Sequence, residues 1–207
     1  VGGGITTDVT GFAASIYKRG VKFAFVPTTL LAQVDASIGG KNGVNFLSYK
    51  NILGTITQPE WIFICPQLLA TLPENEFKAG IAEVLKTFIL FDKEYYRKAV
   101  GYFSAIAPKD GETYGTAAVG LDGSLLAEII GKCTKYKSEV VERDEFERGE
   151  RRMLNLGHTF AHSIESPPIL TVLNNSLFFN SRKALCSKYG FTLNSFSSPL
   201  SNFINNI

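Results

Sequence analysis

Residues 21–41 read VKFAFVPTTLLAQVDASIGGK, and this stretch decides the fold class of the chain. The apolar run Val21–Val26 has the length and composition of a buried strand, which ends at Pro27. Residues 28–38 are expected to be helical or irregular, and the glycine-rich residues 39–43 to form a loop. A buried strand that leads directly into such a segment is typical of an α/β protein.

The sequence on either side extends this pattern. A helix is predicted over Val9–Lys18 with Gly20 as its stop, residues 51–56 form a short segment, and Trp61–Cys65 is a second strand candidate. Beyond Pro73 only helices are predicted, over Glu74–Phe91, Lys93–Tyr102, Ser124–Arg143 and Met153–Glu165. We therefore predict the end of an α/β domain in residues 1–73, followed by an all-α domain in residues 74–165.

Both ends of the chain change character abruptly. Residues 166–207 contain none of the 19 acidic residues but seven asparagines and eight serines, and their apolar residues follow no regular period. We expect this segment to be a poorly ordered tail outside the preceding fold. At the other end, Val1 runs straight into Gly2-Gly3-Gly4, so we expect a strand to precede this turn in a longer protein.

Composition excludes several classes of function. The chain has 207 residues, of which 45% are hydrophobic and 19% charged, as in an ordinary globular protein. A net charge of +2 gives no reason to expect a nucleic-acid partner, and no apolar run is long enough to span a membrane. Three widely spaced cysteines fit reduced thiols, so a cytoplasmic location is expected.

Glycines and lysines predict an anion site in the first part of the chain. The turn Gly2-Gly3-Gly4 opens a helix, an arrangement that offers free N–H groups to phosphate, although such turns also occur for purely steric reasons. Thr28 and Thr29 follow a strand and could add hydroxyl groups, or simply cap a helix. Asp35, Lys41 and Lys50 flank a glycine loop. This density of glycine and lysine favours an anion-binding site modestly over the alternative that the lysines are surface residues without a function.

A carboxylate on the predicted helix 74–91 allows two interpretations. Glu83 lies three residues before Lys86 in an otherwise apolar run, so it needs a cationic partner if it is buried. An ion pair with Lys86 would satisfy it. Together with His158, Glu83 would instead supply part of a zinc site.

The only two histidines of the chain are four residues apart, at 158 and 162. Arg151, Asn155, His158 and His162 follow one another at steps of three or four residues, which places them on one face of a continuous helix. Such a face is typical of a surface that binds an anionic, hydroxylated ligand. Lys137 is a further polar candidate for contact with the same ligand. Spacing alone equally allows a partly buried helix with incidental imidazoles.

Several of these motifs together resemble the 3-dehydroquinate synthase family. They are GGG at residues 2–4 with Asp8, RGV at 19–21, VPTTLLAQVDASIGGK at 26–41, AEVLK at 82–86 and LNLGHTF at 154–160. They follow the family's order and cover nearly all of residues 1–165. The resemblance implies the end of a Rossmann-like NAD-binding domain and the start of a helical metal-binding domain.

The resemblance also implies an activity. The family converts 3-deoxy-arabino-heptulosonate 7-phosphate, a phosphorylated sugar acid, to 3-dehydroquinate and phosphate in the shikimate pathway. It uses NAD and a divalent cation, zinc or another such as cobalt. NAD transiently oxidises a ring hydroxyl, phosphate leaves, hydride returns and an intramolecular aldol reaction closes the ring. A homodimer is implied, with neither a nucleic acid nor a membrane as partner.

The family's site residues carry over by position. The NAD site would comprise Gly3, Gly4, Thr7, Asp8, Thr28, Thr29, Asp35, Lys41, Lys50, Leu68, Leu69, Ala70 and Thr71. The catalytic and substrate-binding residues would be Lys41, Lys86, Lys137, Arg151, Asn155, His162 and Arg19, the last reaching into the partner's site. The metal ligands would be Glu83 and His158.

One departure leaves alternatives open. The family's third zinc ligand is a histidine in a His-Gly-Glu motif, and this chain has no third histidine. An enzyme with an incomplete metal site, a non-catalytic truncated or frame-shifted remnant, and a related sugar-phosphate cyclase are the alternatives. Arg151, Asn155 and His162 together favour a substrate that carries both carboxylate and phosphate.

Overall fold

The computed structural model describes residues 1–47, 49–106 and 108–157. The chain divides into two compact units, Val1–Leu156 and Gly157–Ile207, and the helices and strands of the described residues belong to the first. The predicted tail 166–207 lies outside the described residues. In the described ranges, no helix combines the length and the apolar character that a bilayer span requires.

Helix α1 spans Gly4–Ile16 and confirms the helix predicted after the glycine turn. It continues into a 3₁₀ turn, Tyr17–Arg19, and the chain then turns away at Gly20 with φ +109°. Positive φ is accessible to glycine without a steric penalty, so Gly20 stops the helix as expected.

The two predicted strands of the α/β part are extended segments joined by single parallel bridges. Gly2 donates to Val26 O at 3.1 Å and accepts from Thr28 N at 2.9 Å. On the other side Phe25 bridges Ile62, with Phe63 N donating to Phe25 O at 2.8 Å. The prediction of full strands over 21–26 and 61–65 is therefore wrong. A β-ladder needs successive residue pairs, and Pro27 has no N–H group with which to extend one.

The glycine-rich loop predicted at 39–43 is instead the start of a hairpin. Strand β1, Lys41–Phe46, pairs antiparallel with β2, Tyr49–Ile56. Gly43 lies opposite Gly54 in this register. The glycine-rich composition of residues 39–43 indicated a loop. It does not show that β2, further along the chain, pairs with these residues, and this pairing overrides the turn preference of glycine.

Helices alone follow Pro73. Helix α2 spans Glu74–Phe91 as predicted, α3 spans Lys93–Ala105, and α4 spans Tyr114–Arg143 with a break at Asp122. Glutamates in the first turn of α2 favour its N-terminus through the helix dipole. The carboxylate of Asp92 caps α3 by accepting from two backbone N–H groups at 3.1 and 3.0 Å.

One hydrophobic core joins the two parts of this unit. The apolar side chains of α2 recur at helical spacing and pack against α3, α4 and the segment before β1, while α4 packs on the 3₁₀ turn Pro66–Thr71. Its largest fully buried members are Leu30, Val34, Leu69, Phe77, Val84, Phe88, Leu126, Ile129 and Ile130. This core fixes α4 against residues 30–36, where Leu30 and Leu31 are helical and Ala32–Ala36 form a π-helical turn.

The helix predicted over Met153–Glu165 is interrupted. Residues Glu150–Asn155 form a 3₁₀ helix, after which Leu156 has ψ 124° and Gly157 has φ +87°. Neither angle belongs to a right-handed helix, so no continuous helix runs from Asn155 into the histidine region. The continuous helix was predicted from the spacing of the apolar residues. That spacing does not show that the helix stops at Gly157.

Candidate functional site

The glycine turn at residues 2–4 presents a free helix end. Helix α1 starts at Gly4, and no side chain of the described residues caps it. Gly3 is packed so closely on Thr29 that a Cβ there would lie 2.9 Å from Thr29 Cγ2. The glycine thus lets the turn pack on Thr29, and the first N–H groups of α1, which no side chain in the described ranges caps, fit an anionic group such as a diphosphate.

Lys137 and Asp35, which belong to different elements, form an ion pair, and Asp8 lies within range of their charges. Lys137 on α4 donates from Nζ to Asp35 Oδ1 at 2.7 Å and also contacts the Asp35 carbonyl oxygen. Asp8 on α1 lies close enough for both charges to act on it. The sequence assigned Asp8 and Asp35 to the cofactor and Lys137 to the substrate, and the fold brings the three together.

Burial changes the proton affinity of this cluster. It raises the pKa of the half-buried Asp8 carboxyl to about 6, with Lys137 opposing the rise and Asp35 adding to it. It also lowers the pKa of the Lys137 ammonium, against the stabilising influence of Asp35. Both shifts follow from charges held away from water, and Lys137 is 9% exposed.

Arg151 is the second buried cation. It is 2% exposed, and its guanidinium donates to Gly39 O at 2.8 Å and to Glu145 O. Burial lowers the pKa of Arg151, while the Glu147 and Asp144 carboxylates oppose this. Arg151 thus connects the end of the helical part with the residues just before β1.

A carboxylate that the sequence reasoning missed links two predicted site residues. Glu147 forms an ion pair with Lys41 and accepts a hydrogen bond from Asn155 Nδ2. Burial opposes ionisation of Glu147, but these two donors outweigh it and lower the pKa of Glu147. The sequence indicated Glu147 only as one of five acidic residues in the charge-dense run 142–152. Nothing in the sequence distinguished it from the other four as a site residue.

The predicted metal ligand Glu83 lies on α2 beside Lys86, and the two form an i,i+3 ion pair. The side chains are 17% and 11% exposed, so the ion pair is largely shielded from water. Within residues 1–157, as far as the structure describes them, no three His, Cys, Asp or Glu side chains are grouped closely enough to hold a metal.

Other predicted residues lie apart from this cluster. Lys50 is exposed on β2, and Arg19 is exposed in the turn after α1 with φ +69°. Residues 68–71 belong to the 3₁₀ turn Pro66–Thr71, where Ala70 O accepts from Thr116 Oγ1 at 2.6 Å at the start of α4. Thr28, Thr29 and Thr7 instead lie at the glycine turn: Thr28 N donates to Gly2 O at 2.9 Å, Thr29 packs on Gly3, and Thr7 donates to Gly4 O at 2.8 Å.

His158 and His162 lie outside the described residues. Their assignments as metal ligand and proton-transfer residue therefore stay predictions. The continuous helix that was expected to carry them on one face with Arg151 and Asn155 is interrupted at Leu156 and Gly157.

Comparison with known proteins covers most of the chain. The family model for the 3-dehydroquinate synthase N-terminal part matches residues 1–79, and the model for the C-terminal part matches residues 80–170. The chain belongs to the 3-dehydroquinate synthase family. Its recognition from sequence motifs is thus confirmed, whereas the exact division into domains at residues 73 and 165 stays a prediction.

Two bacterial relatives illustrate the match with other members of the 3-dehydroquinate synthase family. The chain is 48% identical over 166 residues to the 3-dehydroquinate synthase of Campylobacter concisus, which covers 80% of the chain and 43% of the relative. It is 46% identical over 175 residues to that of Microcystis aeruginosa, covering 84% and 45%. The chain therefore spans less than half the length of these curated relatives.

Solved structures extend the likeness to related cyclases. The 2-epi-5-epi-valiolone synthase ValA from Streptomyces hygroscopicus, with NAD⁺ and Zn²⁺ bound, has a TM-score of 0.69 at 29% identity, covering 89% of this chain and 47% of ValA. A 2-deoxy-scyllo-inosose synthase complexed with carbaglucose-6-phosphate, NAD⁺ and Co²⁺ has a TM-score of 0.63 at 28% identity, covering 80% and 42%. The predicted fold class, α/β followed by all-α, is confirmed.

Proposed function

We propose that this chain is part of an NAD- and metal-dependent 3-dehydroquinate synthase, a lyase that releases phosphate from 3-deoxy-arabino-heptulosonate 7-phosphate. The observation that carries the proposal is the contact between Lys137 and Asp35 beside Asp8. In this contact a substrate residue of the family meets one of its cofactor residues, and a second, Asp8, lies within range of both charges. Identity of 44–48% to the family's named members supports the same substrate class.

The cations of the site suit an anionic substrate. Lys137 and Arg151 are buried, and Lys41 is held by Glu147 at the start of β1. Arginine binds carboxylate or phosphate through paired N–H donors, while lysine acts as a point charge. These groups would bind and orient the carboxylate and phosphate, and Lys137, with its lowered pKa, would exchange protons more readily than an exposed lysine.

NAD fits the described residues. Gly3, Gly4 and the N-terminus of α1 would hold its diphosphate, with Asp8 and Asp35 nearby for hydroxyl groups. When bound, NAD supplies reversible hydride transfer. NAD⁺ is bound in the solved structures of the related cyclases.

The metal part of the proposal depends on residues beyond the described ranges. Glu83 would supply one oxygen ligand and His158 one nitrogen, for zinc or for cobalt. Glu83 is paired with Lys86, so metal binding would have to compete with this ion pair or share the carboxylate.

Zinc titration tests the metal assignment without relying on turnover. We expect Glu83→Gln to weaken zinc binding by about tenfold or more, because an ionised ligand becomes a neutral amide. Glu128→Gln is the matched control, since Glu128 also pairs with a lysine on a helix, at 3.0 Å from Lys98. Equal zinc affinity in the wild type and Glu83→Gln would exclude Glu83 as a ligand.

Turnover and cofactor binding test the activity itself. NAD affinity is measured by calorimetry, and phosphate release is measured with the heptulosonate phosphate, NAD and zinc. We expect Lys137→Met to abolish release while zinc binding persists. A chain that binds no NAD would contradict the cofactor assignment.

The related cyclases supply the competing substrate. Glucose 6-phosphate, which carbaglucose-6-phosphate resembles, carries phosphate but no carboxylate. Release of phosphate from this sugar and not from the sugar acid would favour the alternative cyclase. A homodimer with Arg19 reaching the partner's site, and a cytoplasmic location, remain parts of the proposal.

A further inference from the structure

The turn between α4 and the 3₁₀ helix Glu150–Asn155 is organised by one carboxylate. Asp144 follows the last residue of α4, and its two oxygens accept three backbone N–H groups. Oδ1 accepts from Arg148 at 2.8 Å, and Oδ2 accepts from Gly149 at 2.8 Å and from Arg151 at 3.0 Å. Bonds from N–H groups to an ionised carboxylate are stronger than bonds to a neutral acceptor.

The first consequence concerns Arg151. Asp144 holds the backbone of Arg151, while Gly39 O and Glu145 O hold its guanidinium. The residue is therefore fixed at both ends. A guanidinium has five N–H groups, so two bonds to carbonyls leave donors for a ligand anion.

The second consequence concerns Glu147. Its φ of +56° lies in the left-handed region, which is unfavourable for a residue with a side chain. The three bonds of Asp144 close a turn around this position, and Glu147 N donates to Asp144 O at 3.3 Å. The conformation that brings Glu147 to Lys41 and Asn155 is thus enforced by the turn.

We infer that Asp144 is a positioning residue of the anion site, which sets Arg151 and the Glu147–Lys41–Asn155 contacts through the backbone of residues 144–151. Asp144 acts on residues that would touch the substrate and is not itself assigned a contact with it. The inference rests on the proposed function as far as ligand affinity is concerned, and on the hydrogen bonds alone as far as the turn is concerned.

The test compares Asp144→Ala and Asp144→Asn with Asp92→Ala. Asp92 is the matched control, because its carboxylate also accepts two backbone N–H groups, at the start of α3, and a third bond from Tyr136 OH at 2.7 Å. Three quantities are measured: affinity for inorganic phosphate, the unfolding midpoint, and NMR exchange of the amides of residues 148, 149 and 151.

We expect Asp144→Ala to weaken phosphate binding by about 10- to 100-fold, since small displacements of binding groups have effects of this size. Asp144→Asn keeps one acceptor oxygen and should lose less. Asp92→Ala should lower the unfolding midpoint comparably without changing phosphate affinity. In both Asp144 variants the three amides should exchange faster than in the wild type.

Two results would overturn the inference. One is unchanged exchange at all three amides in Asp144→Asn, the variant that removes the charge and keeps one acceptor oxygen. The other is an equal loss of phosphate affinity in Asp144→Ala and Asp92→Ala, which would mean a general loss of stability. Absence of phosphate binding by the wild type would instead contradict the proposed function, and the exchange rates would still decide the role of Asp144.

Discussion

Lys137 shows how a single residue acquires its role from burial. The residue is 9% exposed, and its ammonium bonds both the carboxylate and the carbonyl oxygen of Asp35. A lysine is rarely this buried without a partner. The same cluster makes Asp8 unusual among the carboxylates of the described residues, because its pKa is raised where those of Asp92, Asp122 and Asp144 are lowered.

Asp8 should therefore make stability depend on pH between about 4 and 6. Its pKa rises from 3.8 to about 6 on folding, so the folded state binds more protons in this window. The stabilisation is full below pH 3.8 and is lost as pH rises through about 6. Because Asp8 is only half-buried, we expect roughly 1 kcal/mol of the free energy of unfolding to be lost, after a discount for solvent screening.

Urea unfolding at pH 4 and pH 7 checks this expectation. Asp8→Asn should remove the part of the pH dependence that the wild type shows in this range. Asp92→Asn is the control, because the Tyr95 N–H lowers the pKa of Asp92. A lowered pKa does not make the free energy of unfolding decrease as pH rises, so this variant should keep the decrease seen in the wild type. An identical pH dependence in wild type and Asp8→Asn would contradict the raised pKa.

At the scale of elements, α2 packs closely on the residues before β1. Gly80 is buried on α2, where a Cβ would lie 2.5 Å from Leu30 Cβ and 2.7 Å from Leu31 N. The absence of a side chain thus lets the helix approach the turn that leads to Asp35. Helix α2 also carries Glu83, three residues further on, so this approach sets the position of the predicted metal ligand.

A pair of helix glycines tests the contact. Alanine usually stabilises a helix relative to glycine by up to about 1 kcal/mol. Gly131→Ala on α4 should show this gain, because nothing among the described residues lies within 4 Å of the added Cβ. Gly80→Ala should instead lose about 1–3 kcal/mol through overpacking, as measured by chemical denaturation. A gain of stability in both variants would show that α2 moves freely away from Leu30.

At the scale of the whole first unit, the Lys137–Asp35 ion pair joins α4 to the π-helical turn Ala32–Ala36 of the α/β part. The side chains are 11% and 27% exposed, so the ion pair is better shielded than a surface pair. It supplements the apolar core with a directional contact, which fixes where the predicted cofactor residues lie relative to the predicted substrate residues.

A double-mutant cycle measures this connection. We expect Asp35→Asn and Lys137→Met to show a coupling energy of about 1–3 kcal/mol in unfolding experiments. The exposed pair Lys98–Glu128, at 3.0 Å and 42% and 44% exposed, should show a coupling below about 1 kcal/mol. Equal coupling in the two cycles would mean that the ion pair of Lys137 is no stronger than a surface contact.

Sequence reasoning predicted helices α1 and α2 correctly, since helical periodicity is local, and family motifs singled out Lys137 and Arg151, which the fold buries. It misassigned the hairpin and the helix through Leu156 and Gly157. Lys41 begins a strand because residues 49–56 pair with it, and the 3₁₀ turn stops before Gly157 despite apolar spacing. Pairing across the chain and single backbone angles leave little trace in composition.

The sequence by itself determined the family, the fold class and the candidate residues, because short motifs in a fixed order are specific even when each is weak. Only the tertiary structure decided which of them meet: Asp8 and Asp35 with Lys137, and Lys41 with Asn155 through Glu147. It also placed Asp144 beneath the backbone of Arg151. The reason is physical, since a carboxylate reveals its role only through the charges and N–H groups that folding places around it.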